Sequence, residues 1–138
     1  MQAQRSDIAA LVLRLALGTM FVAHALLKVF VFTVPGTVGF FQSIGYPGEL
    51  AYVTIAAELV GGAMLIAGVY SRWVALALVP IMLGALQVHS GNGWLFSSPN
   101  GGWEYPAFWT VTLIVQALLG DGAYALKRSE PTPVLRTA

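Results

Sequence analysis

The stretch IAALVLRLALGTMFVAHALLKVFVF, residues 8–32, decides the fold, because it is apolar and long enough to cross a lipid bilayer. A hydrocarbon core of about 30 Å takes roughly 20 helical residues. The same stretch nevertheless carries Arg14, His24 and Lys28. A charge buried in hydrocarbon costs between about 2.5 and more than 10 kcal/mol. We therefore expect these side chains to mark the region where the chain works.

Composition predicts an integral membrane protein. The chain has 138 residues, of which 57% are hydrophobic and 9% charged, whereas average globular domains carry roughly 25% charged residues. A soluble domain of this size has too little interior to bury so much apolar surface. The net charge of +1 does not favour nucleic acid as a partner. Because the chain contains no Cys, thiolate catalysis and Cys-ligated clusters within it are excluded, and redox chemistry would need a bound cofactor or a partner protein.

Four segments fit the length of a membrane span: about 8–32, 50–69, 73–88 and 106–125. We expect an all-α fold, an integral membrane antiparallel four-helix bundle forming a single transmembrane domain over residues 1–138, with a flexible tail at 127–138. A signal peptide is the alternative for the first span, since Ala23-His24-Ala25 matches a cleavage site. The apolar run continues to Phe32, so we expect an uncleaved helix.

The distribution of positive charge predicts the orientation. The segments before the first span, between spans two and three and after span four hold Arg5, Arg72, Lys127, Arg128 and Arg136. The longer loops 33–49 and 89–105 hold neither Lys nor Arg. Lys and Arg are enriched in cytoplasmic loops, so both termini should be cytoplasmic. The glycines and aromatic residues of the two long loops predict structured extracytoplasmic caps.

Projected at 100° per residue, each span has one face of mainly polar or small residues, and such faces pack inside bundles. Those residues are, in chain order, Arg14, Phe21, His24 and Lys28; Thr54, Glu58, Gly61 and Gly62; Pro80, Gly84 and Gln87; and Thr112, Gln116 and Gly120.

His24 and Glu58 both fall at a depth of roughly 12 Å from the outer boundary, and Lys28 lies one turn further out. We therefore expect Glu58 to contact His24 or Lys28. Arg14 lies near the inner end, where it would reach the interface or Asp121. In the outer cap, Glu104 would join Lys28 or His89. Simpler interpretations are that Arg14 only reaches the interface and that the Trp residues only anchor the chain there.

The chain resembles the DoxX family of small four-span bacterial membrane proteins over roughly residues 12–126. The resemblance depends on an ordered set of short motifs rather than on any one of them. These are LRLALG at 13–18, HALLK at 24–28, GFF at 39–41 with IGYP at 44–47, ELVGG at 58–62, Arg72, His89 before Asn92-Gly93, and EYP at 104–106. The family commonly has Gly after the first His, where this chain has Ala25.

This resemblance implies a redox role at the bacterial plasma (inner) membrane. Related proteins include a subunit of thiosulfate:quinone oxidoreductase, components linked to quinone and catechol detoxification, and a membrane partner in oxidative-stress complexes. Many members have no assigned activity. The positions that match the family motifs are Arg14, His24, Lys28, Glu58, His89 and Glu104.

We expect a membrane subunit that is at most part of an oxidoreductase and that binds a quinone or similar small ligand in a polar intramembrane pocket. Its electrons would come from a soluble or peripheral partner. The predicted catalytic residues are Glu58 and His24, and the predicted ligand-binding residues are Lys28, Arg14, His89, Glu104 and Gln116. A transporter or binding protein for a small solute and a scaffold that recruits redox partners remain alternatives, and an oligomer is left open.

Neither haem nor a metal site is favoured by the sequence. His24 lies about 12 Å deep by helical rise, whereas His89 lies near the boundary, which is a poor match for two axial haem ligands. The spacings of the His and Glu residues match no compact metal motif.

Overall fold

The computed structural model describes residues 1–130. These residues form helices joined by turns and loops, with no β-strand. Helix α1 spans Gln2–Leu26 and continues into a π-helical turn at Leu27–Val31. Helices α2, Val34–Ser43, and α3, Glu49–Ala67, follow. Helix α4, Ser71–His89, ends in a 3₁₀ turn at Ser90–Asn92, and α5 spans Glu104–Leu119. The all-α prediction is confirmed. Residues 131–138 of the predicted flexible tail lie outside the described residues.

Three helices of the described chain are long and apolar enough to cross a membrane: Gln2–Val31, Glu49–Ala67 and Ser71–Asn92. Each exposes large apolar side chains, such as Val12, Val60 and Leu83. In water such surfaces would be costly, whereas in a bilayer they contact lipid tails. The chain is therefore a membrane protein, as its composition predicts.

Helix α5 is shorter than the fourth predicted span, which was expected to reach residue 125. It has 16 residues and ends at Leu119. Gly120 follows with a φ of +83°, a conformation that glycine adopts without steric cost. The Gln116 side-chain amide donates to the Gly120 carbonyl at 2.9 Å. The chain therefore leaves the helix here, at Gly120-Asp121-Gly122.

One apolar core joins α1, α3, α4 and α5. Phe21, Leu65 and Leu113 are fully buried, and Leu78 is 2% exposed. Helix α1 packs mainly on α3, and α4 mainly on α5. The four long helices thus meet around one centre, which fixes the positions of the polar side chains along them.

Two glycines allow α1 and α3 to approach closely. A Cβ atom added to Gly18 would lie 2.7 Å from the Gly62 carbonyl oxygen, and one added to Gly62 would lie 2.8 Å from the Gly18 carbonyl oxygen. Small residues at such positions bring helix backbones together in membrane proteins. The packing role expected for Gly62 is present, and Gly18 is its partner.

The predicted interior face of α4 was wrong. Pro80 and Gln87 are exposed, whereas Val74, Leu78 and Met82 are buried in the core. These apolar side chains fill the space beside α3 and α5, so burying them contributes dispersion contacts that a polar face would not make. The rule that polar or small faces turn inward therefore fails for this helix.

We predict that Gly18→Ala lowers the stability of the protein by about 1–3 kcal/mol, because the added methyl group would collide with the backbone of α3. The measurement is the apparent midpoint of thermal unfolding in detergent. Gly39→Ala in α2 is the matched control, since a Cβ at Gly39 meets no atom within 4 Å. Equal midpoints for the two variants would contradict the close α1–α3 contact.

Candidate ligand site at the Lys28–Glu58 pair

Lys28 lies in the π-helical turn that ends α1. The Phe32 amide donates to the Leu27 carbonyl, five residues back, at 3.0 Å. Such turns are rare and occur frequently at functional sites. The Thr37 hydroxyl lies 3.2 Å from the Lys28 carbonyl oxygen and 2.8 Å from the Thr33 carbonyl oxygen, and its single proton is available to either. Thr37 belongs to α2 and is 4% exposed, so α2 lies directly against the turn that carries Lys28.

Lys28 and Glu58 form an ion pair. The Lys28 Nζ atom lies 2.8 Å from Glu58 Oε2 and 3.1 Å from Oε1. Glu58 is 5% exposed, and 18% of the Lys28 side chain is exposed. Desolvation of a carboxylate at this depth requires a cation and hydrogen bonds to offset it. The expected contact between Glu58 and Lys28 is present.

His24 does not hydrogen-bond to Glu58. Its ring lies edge-on to Trp109 of α5, with 4.8 Å between the ring centroids. Trp109 also packs on Phe21, with centroids 4.7 Å apart. Trp109 is buried, and its Nε1 atom has no hydrogen-bond partner within residues 1–130. His24 thus lies at the seam of α1 and α5, on an exposed part of the helix surface.

The hydrogen bond of His24 identifies its protonated nitrogen. Nδ1 lies 2.8 Å from the Met20 carbonyl oxygen. A carbonyl only accepts, so Nδ1 carries the proton, and in the neutral ring Nε2 is a hydrogen-bond acceptor. Among the described residues no group donates to Nε2. A ligand hydroxyl beside His24 would therefore find an acceptor ready for it.

Arg14 and Gln116 lie at the other end of the molecule. Arg14 precedes Lys28 by 14 residues, a helical rise of about 21 Å. It is 1% exposed and donates to the Ala123 carbonyl at 3.0 Å. The prediction that its side chain extends to the membrane interface is therefore wrong. Both carboxylate oxygens of Asp121 accept hydrogen bonds from Ser129 instead of from Arg14. Neither Arg14 nor Gln116 is brought to the Lys28–Glu58 pair.

His89 is the last residue of α4 and Glu104 is the first residue of α5. His89 Nδ1 lies 2.8 Å from its own helix carbonyl, that of Ala85. The Asn92 amide donates to the Gly101 carbonyl at 2.9 Å, which ties the ends of the connecting loop together. Within residues 1–130, Glu104 forms no hydrogen bond or ion pair with either Lys28 or His89, so neither form of the expected link is made in this structure.

A separate open hollow of about 270 Å³ lies beside the outer end of α4. Ile44, Tyr46, Gln87 and Val88 line it, and the Tyr46 hydroxyl donates to the Gln87 side-chain carbonyl. Neither Lys28 nor Glu58 lines this hollow. It is therefore distinct from the ion pair, and the sequence did not indicate it.

Two contributors were missed at the sequence level. Trp109 was interpreted as an interfacial anchor, although its spacing from Leu113 and Gln116 is that of one helical face. Thr37 carries no signal in the sequence, because its role depends on the π turn. Among residues 1–130 no three His, Asp or Glu side chains are placed to hold a metal ion.

The DoxX family model matches residues 9–91 of the chain. A Bacillus subtilis (strain 168) protein named "Putative oxidoreductase CatD" is 38% identical over 80 residues, which is 58% of this chain and 58% of that protein. The match thus spans less than two thirds of the relative's length. No solved structure matches. The family match contains Arg14, His24, Lys28, Glu58 and His89, and it ends before Glu104.

We predict strong energetic coupling between the two members of the ion pair. Lys28→Met should destabilise the protein by about 3 kcal/mol, because it leaves the Glu58 carboxylate buried without its cation. Lys28→Met combined with Glu58→Gln should cost less than the sum of the single variants. Unfolding free energies in mixed micelles measure both effects. Glu49→Gln is the control, since Glu49 is exposed on the same helix. Strictly additive losses would show that the two side chains do not interact.

Proposed function

The chain belongs to the DoxX family, and from that premise we propose that it is a membrane subunit of a redox-linked system. In this proposal it binds a quinone or a similar small ring compound next to Lys28 and Glu58 and works with a partner oxidoreductase. The observation that carries the proposal is the ion pair, held at 2.8 Å within apolar helices. The printed name of the Bacillus subtilis relative, an oxidoreductase, supports the redox theme.

The side chains around the pair complement both the oxidised and the reduced form of a quinone. Two of the three N–H donors of Lys28 suffice for the two Glu58 oxygens, which leaves one for a ring carbonyl of the oxidised ligand. The Nε2 atom of His24 accepts from a ring hydroxyl of the reduced ligand. Oxidised and reduced forms would therefore each find a complementary group.

Reduction of a quinone to a quinol takes up two electrons and two protons, one proton on each carbonyl oxygen. In the proposal the electrons come from a carrier on the partner oxidoreductase, since the chain has no Cys and its side chains provide no electron carrier. His24, Lys28 and Glu58 are the groups that exchange protons beside the ring. The chain thus contributes binding and proton handling, as a subunit rather than a complete enzyme.

Access to the pair supports a lipid-soluble ligand. His24 is exposed and Lys28 partly exposed, so a ring compound approaches laterally from the bilayer. Towards the inner end, Phe21, Leu65 and Leu113 are completely buried in a packed apolar core. A dry layer of this kind opposes passage of a polar solute, which favours a binding site over a transport route.

We also propose four spans, with α5 as the fourth, in a bacterial plasma membrane and with both termini in the cytoplasm. The exposed apolar residues of α5, among them Phe108, Val111 and Leu118, support contact with lipid. The cytoplasmic assignment is supported by Arg5, Arg72, Lys127 and Arg128, which flank the spans at one end, whereas the loops 33–49 and 89–105 hold neither Lys nor Arg.

We predict that single cysteines report this topology without background, since the native chain contains none. In intact spheroplasts a membrane-impermeant maleimide should label Ser97→Cys in the outer loop. It should not label Gln4→Cys or Tyr124→Cys until the membrane is permeabilised. Labelling of Tyr124→Cys together with Ser97→Cys would show that α5 does not cross, and labelling of Gln4→Cys and Tyr124→Cys but not of Ser97→Cys would reverse the orientation.

We predict that Glu58→Gln and His24→Ala each weaken binding of a short-chain benzoquinone or its quinol at least about tenfold. Each change removes a hydrogen bond to the ligand or disturbs the cation that makes one, and bonds to charged groups contribute about 1.5–3 kcal/mol. Equilibrium titration of the purified protein measures the affinities. His24→Ala should affect the quinol more than the quinone, because Nε2 accepts and does not donate.

Glu49→Gln serves as the matched control, because it removes an exposed carboxylate from the same helix. It should leave both affinities unchanged. Wild-type affinity in both Glu58→Gln and His24→Ala would remove this cluster as the ligand site. Full activity of the assembled complex with Lys28→Met and Glu58→Gln combined would then favour the scaffold alternative.

A further inference from the structure

Residues 120–130 form an irregular strap across the N-terminal end of α1 and the C-terminal end of α3. The Ala123 amide donates to the Asp7 carbonyl at 3.0 Å, and the Lys127 amide donates to the Gly68 carbonyl at 3.0 Å. The Tyr70 amide in turn donates to the Lys127 carbonyl at 2.9 Å. The strap is therefore fixed by backbone hydrogen bonds that do not depend on its outward side chains.

The exposed surface of the strap is amphipathic. The side chains of Tyr124 and Leu126 are 86% and 78% exposed, whereas those of Ala123 and Ala125 are partly buried. Tyr124 has a φ of +55°, a conformation that a bulky residue seldom adopts. Trp73 lies beside the strap, with its indole nitrogen 3.4 Å from the Ser129 carbonyl oxygen. Aromatic and aliphatic groups thus surround the end of the strap.

Two cationic side chains also belong to this surface. Lys127 and Arg128 are exposed, and the Lys127 Nζ atom lies 5.5 Å from the centre of the Tyr70 ring. The nearby carboxylates are engaged elsewhere, Asp121 by Ser129 and Glu130 by Arg72. Within residues 1–130, Lys127 and Arg128 form no ion pair.

We propose that the strap is a binding site for the headgroup of an anionic phospholipid. Lys127 and Arg128 bind the phosphate, and Leu126 with the rings of Tyr124 and Trp73 contacts the glycerol and upper acyl chains. Two exposed cations beside exposed aromatic rings at the end of membrane helices match the charge and polarity profile of an anionic bilayer surface. This site is independent of the Lys28–Glu58 pair and of the redox proposal.

Native mass spectrometry of the detergent-purified full chain tests the proposal, with phosphatidylglycerol and phosphatidylcholine as competing lipids. We expect a preference for phosphatidylglycerol of at least about tenfold, since each basic residue near an anionic surface adds roughly fivefold. Lys127→Ala combined with Arg128→Ala should abolish the preference. The charge-conserving exchange Lys127→Arg with Arg128→Lys should retain it.

A matched control separates local binding from net charge. Gln42→Glu combined with Ser97→Glu also lowers the net charge by two, at exposed positions far from the strap, and should keep the preference. A wild-type protein without lipid preference, or equal losses in the control and in the alanine variant, would overturn the proposal. Displacement of the lipid by millimolar inorganic phosphate would assign the site to free phosphate and would also overturn it.

Discussion

The burial of Glu58 is the constraint on which the rest of the site depends. A carboxylate with 5% exposure in an apolar helix bundle requires a cation at hydrogen-bond distance, since an unpaired charge there is strongly destabilising. Lys28 supplies that cation from the neighbouring helix. Formation of the pair requires α1 and α3 to approach closely, which Gly18 and Gly62 allow. The contact at Gly18 and Gly62 and the ion pair thus both belong to the interface between α1 and α3.

The π-helical turn at Leu27–Val31 links this arrangement to the outer part of the molecule. A π turn leaves backbone carbonyls without their usual donors, and the Thr37 hydroxyl of α2 lies 3.2 Å from the Lys28 carbonyl oxygen and 2.8 Å from that of Thr33. Helix α2 therefore does more than connect two spans.

The molecule separates its polar groups into two ends. Lys28 and Glu58 lie in the half of the molecule next to α2, whereas Arg14 and the strap lie at the opposite end. Between them, the buried side chains of the core form an apolar layer. This separation explains why Arg14, although it shares a helix with Lys28, belongs to the anchoring of the strap and not to the ligand site.

Periodicity predicted the buried face of α3, because the glycines and Glu58 both avoid lipid and so follow the same rule. It failed for α4, whose interior face consists of apolar side chains. It also failed to place His24, whose ring bonds to its own helix and lies on Trp109. The fourth predicted span extended past the end of α5 because it passed over Gly120-Asp121-Gly122, a glycine pattern that is typical of a helix C-terminus. Thr37 could not be predicted, because the π turn that it supports has no sequence signature.

The most direct test of the account is the distance between Lys28 and Glu58 in a lipid bilayer. The chain has two lysines, so Lys127→Arg leaves Lys28 as the single ¹⁵N-labelled side-chain amine. Solid-state NMR dipolar recoupling to ¹³C-labelled glutamate carboxyl groups then measures the contact. We predict strong coupling to one carboxyl group that disappears in Glu58→Gln, consistent with the 2.8 Å separation of Nζ and Oε2. Absence of that coupling in the native sequence would contradict it.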